Sequence, residues 1–119
     1  MPEPEKRFET TDIGLATALL CTEYVVETEQ GYEVVRNGGT FVLLSTDVID
    51  VEAGRCQFTI AYGDEELEEF TTKSVAFRAN RLWVSPRQYD RRKKPIVDAM
   101  RREREAVGCP VGKPRNQAN

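Results

Sequence analysis

The sequence contains no histidine, one tryptophan and three cysteines in 119 residues. Without an imidazole, the chain can form neither a serine–histidine nor a cysteine–histidine catalytic pair, and it lacks the usual general base for neutral pH. Cys21, Cys56 and Cys109 lie too far apart for the short spacing of tetrahedral zinc sites. We therefore expect a non-enzymatic protein with no cofactor and no metal site, whose thiols are reduced, with Cys21 and Cys56 in the core.

Long apolar runs are also missing from the sequence. No segment reaches the roughly 18 apolar residues that a membrane span needs, and Met1–Glu5 does not have the basic and then apolar order of a signal peptide. These features predict a cytoplasmic protein. The length fits one domain, so we assign residues 1–7 to a disordered leader, 8–107 to a single domain and 108–119 to a flexible tail.

Hydrophobic periodicity predicts an α+β fold, an antiparallel meander sheet with about three helices packed on it. The first helix is expected from Asp12 to about Glu23, and the second from Gly63 to a left-handed stop at Asn80. The third runs from a Ser85–Gln88 capping box to about Ala106, with Pro95 as a kink or restart. Six segments have strand patterns: Tyr24–Val26, Tyr32–Val35, Thr40–Leu44, Asp47–Val51, Cys56–Tyr62 and Arg81–Val84. Asn37–Gly39 is predicted to be a tight turn between paired strands.

Charge is distributed very unevenly along the chain. Residues 1–70 carry 16 Asp and Glu against 4 Lys and Arg, a net charge of −12, whereas residues 71–119 carry 4 against 13, a net charge of +9. The acidic run 64–69 is explained by the preference of helix N-termini for negative charge. The basic residues are concentrated between Arg87 and Arg104, and such asymmetry indicates either nucleic-acid contact or an acidic–basic division of labour.

The third helix is predicted to be amphipathic. At about 100° per residue, Tyr89, Ile96, Met100 and Val107 form one stripe with Val97 beside it. A cationic face lies opposite, and its members are Arg87, Arg91, Lys94, Arg101 and Arg102. The run Arg91, Arg92, Lys93 and Lys94 is self-repelling unless a counter-charge is supplied. A phosphate backbone or an acidic protein surface would supply it; the alternative is a solvated surface face, with or without weak surface salt bridges to the acidic half.

Arg81 and Trp83 point outward if Leu82 and Val84 face the core, and Trp83 would then offer a stacking platform to unpaired bases. The alternative is that Trp83 anchors the core, which is favoured by the large apolar area that a tryptophan buries in a small protein. The sequence contains no helix-turn-helix, zinc-finger or ribonucleoprotein motif, so the nucleic-acid hypothesis depends on charge. The segment 108–114 has the wrong spacing for a phosphate-binding loop. Asp50 and Glu52 could bind a divalent ion through their oxygens if they share a strand face, but two carboxylates near a turn are more often solvated surface residues.

The order of several segments resembles a small domain-of-unknown-function family (number 5659) of bacteria, archaea and phages. The matching segments are Phe8–Leu20, Gly54–Ile60, Asp64–Leu67 and Leu82–Pro86 before a basic helix, so the resemblance spans residues 8–106. Relative to the family pattern, residues 30–46 form an extra hairpin. The resemblance implies a small α+β domain and no known activity or catalytic residue.

These observations lead to two functional hypotheses. The first is a non-enzymatic accessory protein, associated with a phage or mobile element, that contacts nucleic-acid phosphates through Arg87, Arg91, Arg92, Lys93, Lys94, Arg101 and Arg102, with Arg81 and Trp83 beside them. The second is a protein-binding adaptor or inhibitor that uses the acidic half or the cationic face against an oppositely charged partner. An exposed sheet edge would also allow pairing with a second copy of the chain.

Overall fold

The computed structural model describes residues 5–109 and has an α+β fold. Its strands are β1 (Glu5–Thr10), β2 (Tyr24–Thr28), β3 (Gly31–Val35), β4 (Phe41–Asp50), β5 (Arg55–Gly63) and β6 (Leu82–Trp83). Its helices are α1 (Ile13–Leu20), α2 (Leu67–Arg78) and α3 (Pro86–Ala106), and a 3₁₀ turn, Asp64–Glu66, precedes α2. None of the helices in this range is long and apolar enough to cross a membrane.

The strands form two antiparallel sheets of three strands each, where the sequence predicted one meander. Sheet A has the order β1-β5-β4, and sheet B has the order β3-β2-β6. The strands predicted at Tyr24–Val26 and Tyr32–Val35 pair as β2 and β3, but β3 and β4 are not paired, because the chain crosses between the sheets at 36–40. The two segments predicted at 40–44 and 47–51 are one strand, β4, with register shifts at Leu43/Ser45 and Val48/Asp50.

Sheet A holds the main core. Cys56, Phe58, Ile60 and Tyr62 alternate along β5 onto one buried face, as their spacing predicted. Residues of α1 and α3 cover that face, and they are Leu15, Ala16, Leu19, Ile96 and Met100. A smaller core lies under sheet B, where Ala76 of α2 packs against Tyr24 and Val26. All three cysteines are free and buried.

The predicted chain ends need correction. Residues 5–7 belong to β1, which pairs with β5 from Glu5↔Gly63 onward, so the disordered leader is wrong for these residues. Cys109, assigned to the flexible tail, is buried, and its amide donates to the Arg104 carbonyl at 2.9 Å. The rest of the leader and of the tail, residues 1–4 and 110–119, lies outside the described residues.

The helix ends follow the local signals closely. The Asp12 side chain caps α1 by accepting from the Leu15 amide at 3.1 Å, and Asn80 has a φ of 58° after α2. Helix α1 ends earlier than predicted, at Leu20, because Cys21 is already extended. Helix α3 continues through Pro95 to Ala106.

A buried lysine connects the two layers. Lys73 of α2 is fully buried, and its Nζ donates to the carbonyls of Leu19 and Cys21 at 3.0 and 2.7 Å and pairs with Glu69 at 3.3 Å. Three acceptors thus meet the three N–H bonds of one ammonium group. Two of them are carbonyls at the C-terminal end of α1, where a cation is favoured. The rings of Tyr24 and Phe41 lie 4.7 and 4.4 Å from Nζ.

The Glu69 carboxylate extends this cluster to the crossing segment. Its Oε1 accepts from the Gly39 amide at 2.7 Å, and its Oε2 accepts from the Tyr24 hydroxyl at 2.9 Å. A Cβ on Gly38 would lie 2.8 Å from Glu69 Oε2, and one on Gly39 would overlap Glu66 Cγ. The two glycines are therefore needed for close approach to α2, rather than for a tight hairpin turn. Glu69 also has a more specific role than the predicted helix-start electrostatics.

We expect Lys73→Met to lower the free energy of unfolding by about 3–5 kcal/mol, because it leaves the Glu69 carboxylate and two carbonyls without their partner. Urea unfolding followed by circular dichroism measures this loss. The matched control is Lys94→Met on an exposed side chain, with an expected change within about 0.5 kcal/mol. A loss below about 1 kcal/mol for Lys73→Met would contradict the role assigned to the ammonium group.

The hydrogen bond from the Tyr24 hydroxyl to Glu69 can be tested by measuring stability at alkaline pH. Burial raises the pKa of Tyr24, and the hydrogen bond to Glu69 raises it further. Above about pH 10 the unfolded chain loses this proton while the folded chain keeps it, so stability falls as pH rises. We expect Tyr24→Phe to make that fall shallower by up to about 1.4 kcal/mol per pH unit between about pH 10 and 11. Tyr32→Phe, on an exposed ring, should retain the wild-type slope in the same urea titrations.

Candidate nucleic-acid interface

The outer face of sheet B contains a partly exposed apolar row. Val34, Val25 and Trp83 are cross-strand partners on β3, β2 and β6, so their side chains form one row on the face opposite the small core. Trp83 is 55% exposed, and Tyr32, two residues before Val34 on the same face, is 70% exposed. We call Val25, Val34, Trp83 and Tyr32 the Trp83 face.

The interpretation of Trp83 as a core anchor is therefore wrong. The strand β6 has two residues and lies at the edge of sheet B, and its alternation sends Leu82 and the following Val84 to the small core. Arg81 and Trp83 consequently point outward, as the other interpretation predicted, and both are exposed. Beside Trp83 lies a shallow cavity of about 200 Å³, lined in part by Val25, Val34 and Arg36.

Helix α3 turns its apolar stripe inward only along its middle. Ile96 and Met100 are buried and Tyr89 is half-buried, whereas Val97 and Val107 are exposed. The opposite face is exposed, as predicted, at all five of its cations: Arg87, Arg91, Lys94, Arg101 and Arg102. We call these five residues the α3 cationic face.

Two cations of the basic run do not belong to that face. Arg92 is half-buried, on the side of α3 that packs on the protein, and its Nε is buried without a hydrogen-bond partner among the described residues. Lys93 is half-buried too, with its Nζ 5.8 Å from the ring centre of Tyr89. Both positions follow from the 100° rotation per residue, which sends 92 and 93 toward the stripe of Ile96.

The two halves of the α3 cationic face differ in their surroundings. In the C-terminal half, Arg101 pairs with Asp98 at 3.4 Å. In the N-terminal half, Arg87, Arg91 and Lys94 form no ion pair with any residue between 5 and 109. These three cations are thus solvated, and the salt bridges to the acidic half that the alternative allowed are absent among residues 5–109. Arg87, Arg91 and Lys94 lie in the half of α3 that begins near Trp83, and Arg102 in the other half forms no ion pair with a residue between 5 and 109 either.

The side chain of Gln88 fixes this end of α3 to sheet B. Ser85 caps the helix by accepting from the Gln88 amide at 3.2 Å, as predicted. The Gln88 side chain, however, does not complete the capping box. Its Oε1 accepts from the amides of Thr22 and Glu23 at 2.8 and 3.1 Å, and its Nε2 donates to the Glu23 carbonyl at 2.9 Å. We call these three hydrogen bonds of the Gln88 side chain the Gln88 clasp. They fix the position of Arg87 and Arg91 relative to the start of β2.

A second, polar cavity of about 250 Å³ lies on the other side of the Gln88 clasp. We call it the arginine cavity, and it is lined by Thr22, Glu23, Ser85, Arg87, Gln88, Arg91 and Arg92. It shares Glu23, Ser85 and Gln88 with the shallow cavity beside Trp83. An exposed aromatic face and a group of guanidinium groups are thus neighbours on one side of the molecule.

The other reactive or ionisable side chains considered in the sequence have structural roles. The Lys73 ammonium is fully buried, and burial raises the pKa of the Cys21 and Cys56 thiols, which disfavours the thiolate. Asp50 accepts from the Ala53 amide at 3.1 Å within the β4–β5 turn. Among residues 5–109 no three histidine, cysteine or acidic side chains lie close enough together to hold a metal ion.

Comparisons with family models, with curated proteins and with solved structures found no match to this chain. The resemblance to the domain-of-unknown-function family stays a prediction.

The fluorescence of Trp83, the only tryptophan, reports its exposure directly. We expect acrylamide to quench the folded protein nearly as strongly as the urea-unfolded protein, because the ring is more than half exposed. Phe58→Leu, a change in the core under sheet A, is the control and should leave the quenching of the folded protein unaltered. Strong protection from acrylamide in the folded state would place Trp83 in the core after all.

Proposed function

We propose that the protein is a non-enzymatic, single-stranded nucleic-acid-binding protein, as an accessory to a phage or mobile element. Bases stack on the Trp83 face, and phosphates contact Arg87, Arg91 and Lys94. The observation that carries this proposal is the row Val34–Val25–Trp83, exposed at Val34 and Trp83, beside three cations that form no ion pair with a described residue. Aromatic stacking together with a cationic track is the usual basis of sequence-tolerant single-strand binding.

The preference for a single strand follows from the geometry of stacking. A base can lie on the Trp83 ring only if it is unpaired and unstacked, which a regular duplex does not offer. Arg87 and Lys94 are separated by seven residues of helix, a rise of about 10 Å, so the cationic track spans about two or three consecutive phosphates. This footprint is short and predicts modest affinity.

We expect an oligothymidylate of about eight nucleotides to quench Trp83 fluorescence, and a duplex of the same length to bind more weakly. With about three phosphates neutralised at a slope near −0.7 each, affinity should fall about 20-fold between about 50 and 200 mM salt. Arg91→Gln should weaken binding and reduce the slope by about 0.7, whereas Arg101→Gln, already paired with Asp98, should change both less. Trp83→Ala, followed by anisotropy of a labelled oligonucleotide, should cost about 5- to 100-fold without changing the slope.

All of these substitutions are at exposed positions and should leave the melting temperature near that of the wild type. Undetectable binding of the wild-type protein at low salt would refute the proposal. Equal losses for Arg91→Gln and Arg101→Gln would place the contact elsewhere on α3.

A protein-binding adaptor is the second candidate, and a separate groove favours it. Between α2 and sheet B lies an open groove of about 510 Å³, and Val75 in it is 62% exposed. Its lining residues are the aliphatic Val26, Val75, Ala76 and Ala79 and the polar Glu27, Thr71, Thr72 and Arg81. Exposed aliphatic side chains in a groove are typical of surfaces that receive a partner segment. A partner of this groove would be lost with Val75→Glu and retained with Trp83→Ala, which separates the two functions.

A further inference from the structure

The arginine cavity contains more positive charge than the described residues neutralise. Three arginines, Arg87, Arg91 and Arg92, line it together with one acidic residue, Glu23. None of the three forms an ion pair with a residue between 5 and 109. The remaining lining residues, Thr22, Ser85 and Gln88, are polar and uncharged.

Arg92 is the least exposed of the three arginines. Its Nε is enclosed by the protein and has no hydrogen-bond partner in the described part of the chain, so an anion in the cavity can meet only the terminal nitrogens of this guanidinium group. Burial lowers the pKa of Lys73, and the charge of Arg92 adds to that effect, so the two cations repel each other. Glu69 is the carboxylate that pairs with Lys73, and Arg92 is left without one.

The size of the cavity restricts the ligand. A volume of about 250 Å³ lies below the range of about 300–1,000 Å³ for sites that enclose a whole small molecule. It has room for about eight waters at roughly 30 Å³ each, and therefore for a hydrated charged group. Guanidinium forks match the oxygens of a phosphate, and a phosphomonoester offers three of these oxygens with a charge near −2.

We propose that the arginine cavity binds a terminal phosphate of a nucleic-acid strand, whose adjoining base lies on the Trp83 face. This inference rests on the proposed function, because it assigns one end of the same strand to the cavity that adjoins the Trp83 face across the Gln88 clasp. An internal phosphodiester has two free oxygens and continues in both directions, so it fits a half-closed cavity less well than a chain end does. The protein thus recognises the phosphorylated end of a single strand.

The test compares oligothymidylates of about eight nucleotides that carry a 5′-phosphate, a 3′-phosphate or only hydroxyl ends, by anisotropy with the full-length protein. We expect one phosphorylated end to raise affinity at least about tenfold. A hydroxyl-ended oligonucleotide longer by one nucleotide controls for one additional charge, and its gain should be below about twofold. Orthophosphate at millimolar concentration should weaken binding of the phosphorylated strand more than binding of the hydroxyl-ended strand, because the two strands share Arg87 and Arg91 but only the terminal phosphate uses Arg92.

Arg92→Gln should remove the preference for the phosphorylated end, to below about twofold, while the hydroxyl-ended strand binds as to the wild type. Lys93→Gln removes the same charge at the next position, which does not line the cavity, and should keep the preference. The comparison of strand ends and the competition by orthophosphate use the wild-type protein, so the test stands even if Arg92→Gln does not fold.

The outcomes separate this inference from the proposed function. Equal binding of phosphorylated and hydroxyl-ended strands overturns the inference and leaves single-strand binding intact. Stabilisation of the protein by orthophosphate but by no oligonucleotide overturns the proposed function, and it assigns the cavity to a small phosphate compound instead of a strand end. A preference that survives Arg92→Gln in a folded protein also overturns the inference.

Discussion

The buried ammonium group of Lys73 is the interaction on which the arrangement of the two layers depends. Helix α1 covers sheet A, while α2 and β2 form the small core under sheet B. Lys73 donates to the last carbonyls of α1, and Glu69 connects the same cluster to Tyr24 and Gly39. A charged group of this kind is costly to bury unless every partner is in place, so it tolerates one relative position of the layers. Hydrophobic contacts alone would be less selective.

The exposed site follows from that arrangement. The inner faces of both sheets are used by the three helices, and nothing among residues 5–109 covers the outer face of sheet B. Trp83 is exposed because its two-residue strand is an edge that gives Leu82 to the core instead. Gln88 then fixes the start of α3 to the segment before β2, which brings Arg87 and Arg91 to the same side as Trp83. The placement of aromatic and cationic groups is therefore a product of packing.

Local signals in the sequence predicted the parts of the structure that depend on neighbouring residues. The Asp12 and Ser85 caps, the left-handed Asn80, the buried face of β5 and the exposed side of α3 all have the form expected from spacing. Long-range pairing was not predictable in this way. A glycine-rich segment has the same composition whether it turns a hairpin or passes close to another helix, so residues 37–39 did not reveal the second sheet. The buried position of Lys73 depends on partners more than fifty residues away, and the half-buried position of Arg92 depends on the packing of other elements against α3.

The ion pairs within residues 5–109 show that the acidic and basic parts of the chain neutralise each other very little. Among the described residues, Lys73–Glu69 is the pair that joins the acidic first part of the chain to the basic second part, and it is buried. The pairs Lys6–Asp64 and Arg7–Glu5 lie within the acidic part, and Arg101–Asp98 lies within the basic part. The cations at the start of α3 thus keep their positive potential. Glu27, the partner of Tyr32 on the outer face of sheet B, and exposed Glu29 at the end of the β2–β3 hairpin place negative charge farther along that face. A polyanion would be attracted over a few phosphates and repelled beyond them. This boundary favours a strand end over a long continuous track, since an end places its charge in the cavity and leaves the acidic surface unoccupied.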